Sequence, residues 1–307
     1  MKWPARVDLM RWLLAIGLGL ALAACGGGGG SNASSTVTSS AAGSVLSVPV
    51  PAGANAMAIT VDAGPAGSGN NVNRLYASVT VCPPGSASCQ TIDHVLVDTG
   101  STGLRLLASA LSHPAAFTPL LADGGLPLLN CVQFVDNTYA WGPVVSADVV
   151  LGGKTASGVP IQIMGEAAYG VSVGACNPGG GTELNTVSAL GAKGVLGLGL
   201  FQQDCGSACL SNTGNGRYYT CKDASCVASA GTTAPLASQL THPVVKFATD
   251  NNGFVVTLPS VATSGAAGAN GVLVFGVNTE SNNQFTPARC WRPIAWATSP
   301  RSWAVRP

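Results

Sequence analysis

The residues best equipped for chemistry lie in HVLVDTGSTGLRLL, His94 to Leu107. Asp98 ends the apolar run Val95-Leu96-Val97 and is followed by Thr99, Gly100 and Ser101 before apolar residues return. Gly100 permits a tight backbone turn, while Thr99 and Ser101 carry short hydroxyls that can hydrogen-bond locally. A carboxylate where a buried strand ends is partly stripped of water and held by amide and hydroxyl donors. It is then a candidate general base rather than a solvated surface charge. Asp98, Thr99, Gly100 and Ser101 are therefore the candidate catalytic residues.

Other reactive side chains fit structural roles. Of the three histidines, His94 flanks the strand, and His113 and His242 precede prolines in loops. No GxSxG is present, so a serine triad has no basis. The glycines of GVLGLGLFQQ fail the dinucleotide pattern, because Gln202 stands where the third glycine belongs. Ten cysteines point to an oxidising, exported setting. Setting aside Cys25 and Cys290 leaves eight. CPPGSASC, Cys82 to Cys89, reads as a stapled turn. Cys205, Cys209, Cys221 and Cys226 close either as two local bridges or as a nested pair, which leaves Cys131 and Cys176 to each other. A zinc site in the 205–226 cluster is the competing reading. The cluster lacks CxxC spacing and has no histidine nearby, so no metal and no cofactor are expected.

The elements that must position Asp98 are strands. MAITVDAG, RLYASVTV, HVLVDTG, CVQFVD, GPVVSADVVLGG, VPIQIMG, GVLGLGL, PVVKFATDNNGFVVTLP and GVLVFGV recur between turn signals. That spacing is the pattern of an all-β sandwich or barrel. DNNG, Asp250 to Gly253, reads as a hairpin turn between two apolar runs. Helical signal is confined to LLASALSH and APLASQLTH. Charged residues make up 9 %, against about 25 % in an average soluble protein. A net charge of +1 gives no footprint for nucleic acid.

The two ends differ from this body. MKWPARVDLMR is basic, WLLAIGLGLALAA is apolar but short for a membrane span, and small residues precede Cys25. Leu22-Ala23-Ala24-Cys25 resembles the lipobox of bacterial lipoproteins, in which residues 1–24 are a signal peptide and the cysteine is acylated. Gly26 is not the aspartate that retains enteric lipoproteins on the inner membrane, so the resemblance implies the outer membrane. Residues 25–42, rich in Gly and Ser, form a flexible tether. At the other end, 289–307 packs Arg, Trp, Pro and Ala without a period of 2 or 3.6. It reads as a GC-rich gene out of frame, with a frameshift expected near residue 289.

Residues 43–288 resemble the first lobe of the pepsin-like aspartic peptidases. VLVDTGSTGLRL matches their apolar-apolar-Asp-Thr-Gly-Ser signature. YAWGPVVSADVVLGG, Tyr139 to Gly153, looks like the flap hairpin and following strand, with Tyr139 at the flap tyrosine. GVLGLG, Gly194 to Gly199, looks like the strand beneath the active-site loop, and GVLVFGVNTE like the strand closing the lobe. The CQTIDHVLVDTGS and DNNG segments are also similar to a bacterial lipoprotein family of unknown function, which lends no activity.

The peptidase resemblance implies an all-β, six-stranded-barrel lobe and a peptide or protein substrate. Two departures stand out. The CPPGSASC staple precedes the DTGS turn, whereas the peptidases often place a small disulfide after it. The second aspartate is also missing: such enzymes share a proton between two carboxylates, and no second D-[ST]-G occurs here. VDAG, Val61 to Gly64, is the nearest match. Two copies could pair, as retroviral peptidases do. The chain as it stands is expected to be an inactive, lipid-anchored half of an aspartic peptidase. The alternative is a non-catalytic binding or envelope-structural module on the same fold. DTGSTG also resembles the phosphate loop of the actin and sugar-kinase group. The flanks lack that fold's alternating helices, so no nucleotide is expected.

Overall fold

A computed structural model describes residues 45–284, except 70, 171–175, 178, 224, 225 and 227. Cys25, Cys290, the signal peptide, the tether and the 289–307 tail all lie outside the described residues. Most of the regular structure is β. Six strands close on themselves: β3 (Leu75–Cys82), β4 (Gln90–Asp98), β5 (Thr102–Leu107), β7 (Tyr139–Leu151), β8 (Lys154–Met164) and β9 (Gly194–Leu198). Around the ring the order is β3-β4-β9-β5-β8-β7, and β7 pairs back onto β3. The β4–β9 and β5–β8 pairings are parallel and the others antiparallel, giving a mixed barrel.

Alternation along the strands explains the closure. Val145, Ala147, Val149 and Leu151 of β7 are fully buried, while Ser146, Asp148 and Val150 between them are partly exposed. Residues of one parity thus meet Val79, Val95, Leu104, Leu106, Val159 and Leu196 in one apolar cluster. The turn from β7 to β8 is Gly152-Gly153, both at positive φ (54° and 81°), as a two-residue hairpin demands.

Two flanking sheets grow from the barrel. On one side β13 (Gly268–Phe275) and β2 (Ala56–Val61) extend β3, with β1 (Val45–Ser47) and β12 (Phe254–Thr257) both on β13. On the other, the first part of β7 leaves the barrel to pair with β6 (Leu128–Gln133), which carries β10 (Tyr218–Cys221) and then β11 (Ser229–Gly231).

DNNG is not a hairpin between two strands. The run before it forms a 3-10 turn (Pro243–Lys246), and only Phe254–Thr257 after it is a strand, paired to β13. Asp250 instead turns inward and bonds to Lys154, Thr249 and Thr279. Those partners explain the difference: a buried carboxylate with a cation and two hydroxyls outweighs a local turn preference. Burial alone would raise the Asp250 carboxyl, but its bonds to Lys154 and Thr279 hold it below the usual range. The two expected helical pieces become 3-10 turns at Ala108–Ala110 and Leu236–Ser238. One short α-helix, α1 (Val187–Leu190), went unforeseen; Thr186 caps its start and Gly191 (φ 72°) its end.

Candidate active site at the DTGS turn

Asp98 is the last residue of β4, and Thr102 the first of β5, yet β4 and β5 are not neighbours. β9 runs between them, parallel to β4 and antiparallel to β5. The DTGS turn therefore arches over the end of β9, with Asp98 in register beside Gly197. The Ser101 carbonyl accepts from the Gly199 amide at 2.7 Å. The glycines make this seat possible. A Cβ at Gly197 would lie 2.8 Å from the Ser101 and Gly103 carbonyl oxygens, and one at Gly199 would lie 2.7 Å from that of Ser101. The pattern of GVLGLG is thus a requirement of close backbone approach.

The carboxylate of Asp98 is half-buried, and its Oδ1 accepts from the Gly100 amide at 2.8 Å. Thr99 and Gly100 are exposed. The expected hydroxyl cradle takes a different form. Neither Thr99 nor Ser101 bonds to the carboxylate, and the Ser101 hydroxyl is buried without a partner among the described residues. The tight turn brings the Gly100 amide to Oδ1 first, as Asp side chains in turns commonly do. No bond to the other oxygen of Asp98 occurs among the described residues, and Leu200 and Phe201, 49 % and 72 % exposed, follow directly after β9. What this arrangement can do is exchange a proton with something that approaches from solvent.

Beneath the turn lies a group the sequence reading passed over. Arg105 sits in an otherwise apolar strand and is 1 % exposed. Its Nη1 donates to the Thr102 carbonyl at 2.8 Å, bracing the exit of the turn, and its Nη2 is 3.7 Å from Asp204 Oδ2. Asp204 is buried too; Tyr218 donates to its Oδ1 at 2.5 Å and the Asn130 amide to its Oδ2 at 3.0 Å. The Tyr218 oxygen accepts in turn from the Leu240 amide at 2.7 Å. Burial pushes Arg105 below its ordinary range, and the charges of Asp204 and Asp98 oppose that. Burial also raises Asp204, against Arg105, Tyr218 and Asn130. Tyr218 is driven well above the usual phenol range, first by burial and then by Asp204. A single arginine inside TGLRLL was the available signal: a cation in a fully buried strand requires a buried acceptor.

Tyr139 lies in the β6–β7 hairpin. It is 7 % exposed, opens β7 in register with Gln133, and packs with Cys131, Trp141, Cys176 and Tyr219. Its hydroxyl donates to Glu183 Oε2 at 3.4 Å. The β6–β7 hairpin that bears it is held on several sides. β10 pairs along β6, the Tyr139 amide donates to the Thr182 carbonyl, and Trp141 Nε1 donates to the Tyr169 carbonyl at 2.7 Å.

The eight cysteines form Cys82–Cys89, Cys131–Cys176, Cys205–Cys209 and Cys221–Cys226. Of the two arrangements open for the 205–226 cluster, the two local bridges are the ones present. The third bridge adjoins Asp204, and the second ties β6 to the segment beyond β8. Among the described residues, no group of three His, Cys, Asp or Glu is placed to hold a metal ion.

A family described as "Protein of unknown function (DUF3443)" matches residues 51–295, a span that contains the whole barrel, the DTGS turn and all four bridges. The chain belongs to this family. No curated protein matches the sequence. Membership in DUF3443 unites the turn, the Arg105–Asp204 pair and the bridges in one domain and assigns them no activity.

Proposed function

We propose that this DUF3443 domain is a pepsin-like lobe, and that Asp98 is one carboxylate of a water-activating pair acting on a peptide or protein substrate. The observation that carries the reading is the arched DTGS turn over β9. It leaves Asp98 anchored by one amide, half-exposed, and free on its other oxygen. A hydrolytic pair needs a second carboxylate facing the first, so that one holds the proton while the other takes one from water. Asp204 does not fill that role, because it is buried and engaged by Arg105, Tyr218 and Asn130. The partner carboxylate comes from a further segment, whose reading frame is lost near residue 289, or from a second copy. In this reading Cys25 is acylated and tethers the domain to the outer membrane. Among the described residues no helix is long and apolar enough to cross a membrane.

The test starts at the locus. Resequencing across residue 289 is expected to restore a frame with a second D-[ST]-G. The restored protein is expected to cleave an unfolded protein substrate at acidic pH and to lose that activity on Asp98→Asn. Cleavage that survives Asp98→Asn overturns the assignment. An intact frame with no second motif leaves the alternative, a non-catalytic binding module. The Asp98–Gly100 bond fits that alternative equally, because it is also what a purely structural turn cap makes. Labelled fatty acid incorporated by the full-length precursor, and lost on Cys25→Ser, checks the anchor.

A further inference from the structure

The middle of β4 carries a second group of titratable side chains with no part in the proposed site. Between Ala77↔Val95 and Val79↔Ile92 the β3–β4 register slips, so Asp93 and His94 together face one residue of β3. This is a β-bulge, a device that re-aims a side chain. His94 takes φ 52°, a left-handed conformation that is uncommon outside glycine but that histidine adopts more readily than most side chains. The bulge turns the imidazole between two carboxylates. Nδ1 is 2.7 Å from Asp93 Oδ2, and Nε2 is 3.3 Å from Asp62 Oδ2. Three segments meet there. Asp62 begins the β2–β3 loop and its other oxygen accepts from the Gly64 amide at 2.8 Å. Lys193, just before β9, bonds to Asp93 Oδ1, and its own amide donates to the His94 carbonyl at 3.0 Å. Tyr76 of β3 sets its ring against the imidazole at 5.3 Å and donates to the Gly191 carbonyl, while Arg74 beside it donates to the Leu190 carbonyl. The charged and titratable groups around His94 are thus Asp62, Asp93, Lys193, Tyr76 and Arg74.

A neutral imidazole has one N–H, so it can donate to only one of two flanking carboxylates and must present a lone pair to the other. An imidazolium donates to both. Asp93 stays anionic through the whole range in which histidines titrate: its bond to Lys193 outweighs burial and, with the bond to His94, holds its carboxyl down at about 2. We propose that Asp62–His94–Asp93 is a proton-operated clasp, closed when His94 is charged and open at Asp62 when it is neutral, that pins the β2–β3 loop to β4 and to the approach of β9. Bonds are most numerous in the protonated form, so the clasp tightens as pH falls and loosens as pH rises.

Hydrogen exchange of the intact protein, read by NMR at the Gly64, Ser68 and Asn71 amides, tests it. Each of these amides bonds within the loop. After correction for intrinsic rates, their protection in the wild type is expected to fall about twofold to fivefold between pH 5 and 8, the scale of one partly exposed ion pair. Asp62→Asn is the informative variant, because an amide can accept from Nε2–H or donate to its lone pair. Its protection is expected to be high and independent of pH. His94→Asn, which tolerates the left-handed backbone, is expected to give low protection at every pH. Wild-type protection that does not change with pH, or an unchanged pH dependence in Asp62→Asn, overturns the proposal. Should His94→Asn fail to fold, those two outcomes decide it alone.

Discussion

The charges of Asp98 and Asp204 both act on Arg105, and the two carboxylates sit in opposite surroundings. Asp98 is half-exposed and holds one backbone amide. Asp204 is buried and takes bonds from a phenol and a carboxamide beside the guanidinium. The difference teaches that carboxylates near the same arginine divide by solvent access. A buried, fully engaged acceptor holds structure, and the half-exposed Asp98, with a single backbone bond, is the one the proposed chemistry requires.

Substitution should separate the two. In a peptidase-competent form of the protein, Asp98→Asn is expected to lower the cleavage rate by about a hundredfold to ten-thousandfold, the range of acid–base catalysis. Its stability to urea should stay within about 1 kcal/mol of wild type, since one amide bond is all that changes. Asp204→Ala should do the reverse and lose about 3–5 kcal/mol, because the Arg105 cation is left buried without its acceptor. A urea midpoint for Asp204→Ala close to the wild-type value would collapse the comparison.

His242 is another buried titratable group. It is 5 % exposed, its Nδ1 accepts from the Val244 amide, and burial lowers it to about 4. In the unfolded chain it titrates near its ordinary value, so between about 6.5 and 4 the unfolded state binds the proton that the folded state refuses. That stability is complete above about pH 6.5 and is lost as pH falls toward 4, amounting to about 3 kcal/mol. His242→Gln is expected to flatten that part of the stability–pH curve, measured by urea denaturation at pH 4 and 7. An unchanged acid slope would mean that another group sets it. The smallest effect belongs to the seat of the turn. Gly199→Ala puts a methyl against the Ser101 carbonyl and is expected to cost about 1–3 kcal/mol, read as a lowered melting temperature.

The strand runs, the DTGS turn, the glycine pattern of β9 and the Cys82–Cys89 staple were legible because each depends on neighbours in sequence. Alternation marks a half-buried strand, and glycine marks close backbone approach. DNNG misled for the converse reason. Its local turn preference is real, but Lys154 and Thr279, distant in sequence, captured Asp250. Arg105 was hidden in plain view, because nothing near it in sequence announces Asp204, almost a hundred residues away. The choice between local and nested bridges likewise required knowing where β10 lies.

By itself the sequence determined that this chain is built from strands, that Asp98 ends one of them in a tight turn, and that its cysteines pair. Those are consequences of periodicity, of glycine's freedom and of thiol number. Tertiary structure decided that β9 passes between β4 and β5, that the barrel closes through β7 and β3, and that Arg105 and Asp204 meet. These contacts join residues far apart in the chain. They are selected by the joint burial of many side chains and the need to satisfy every buried charge, which no local window of sequence contains.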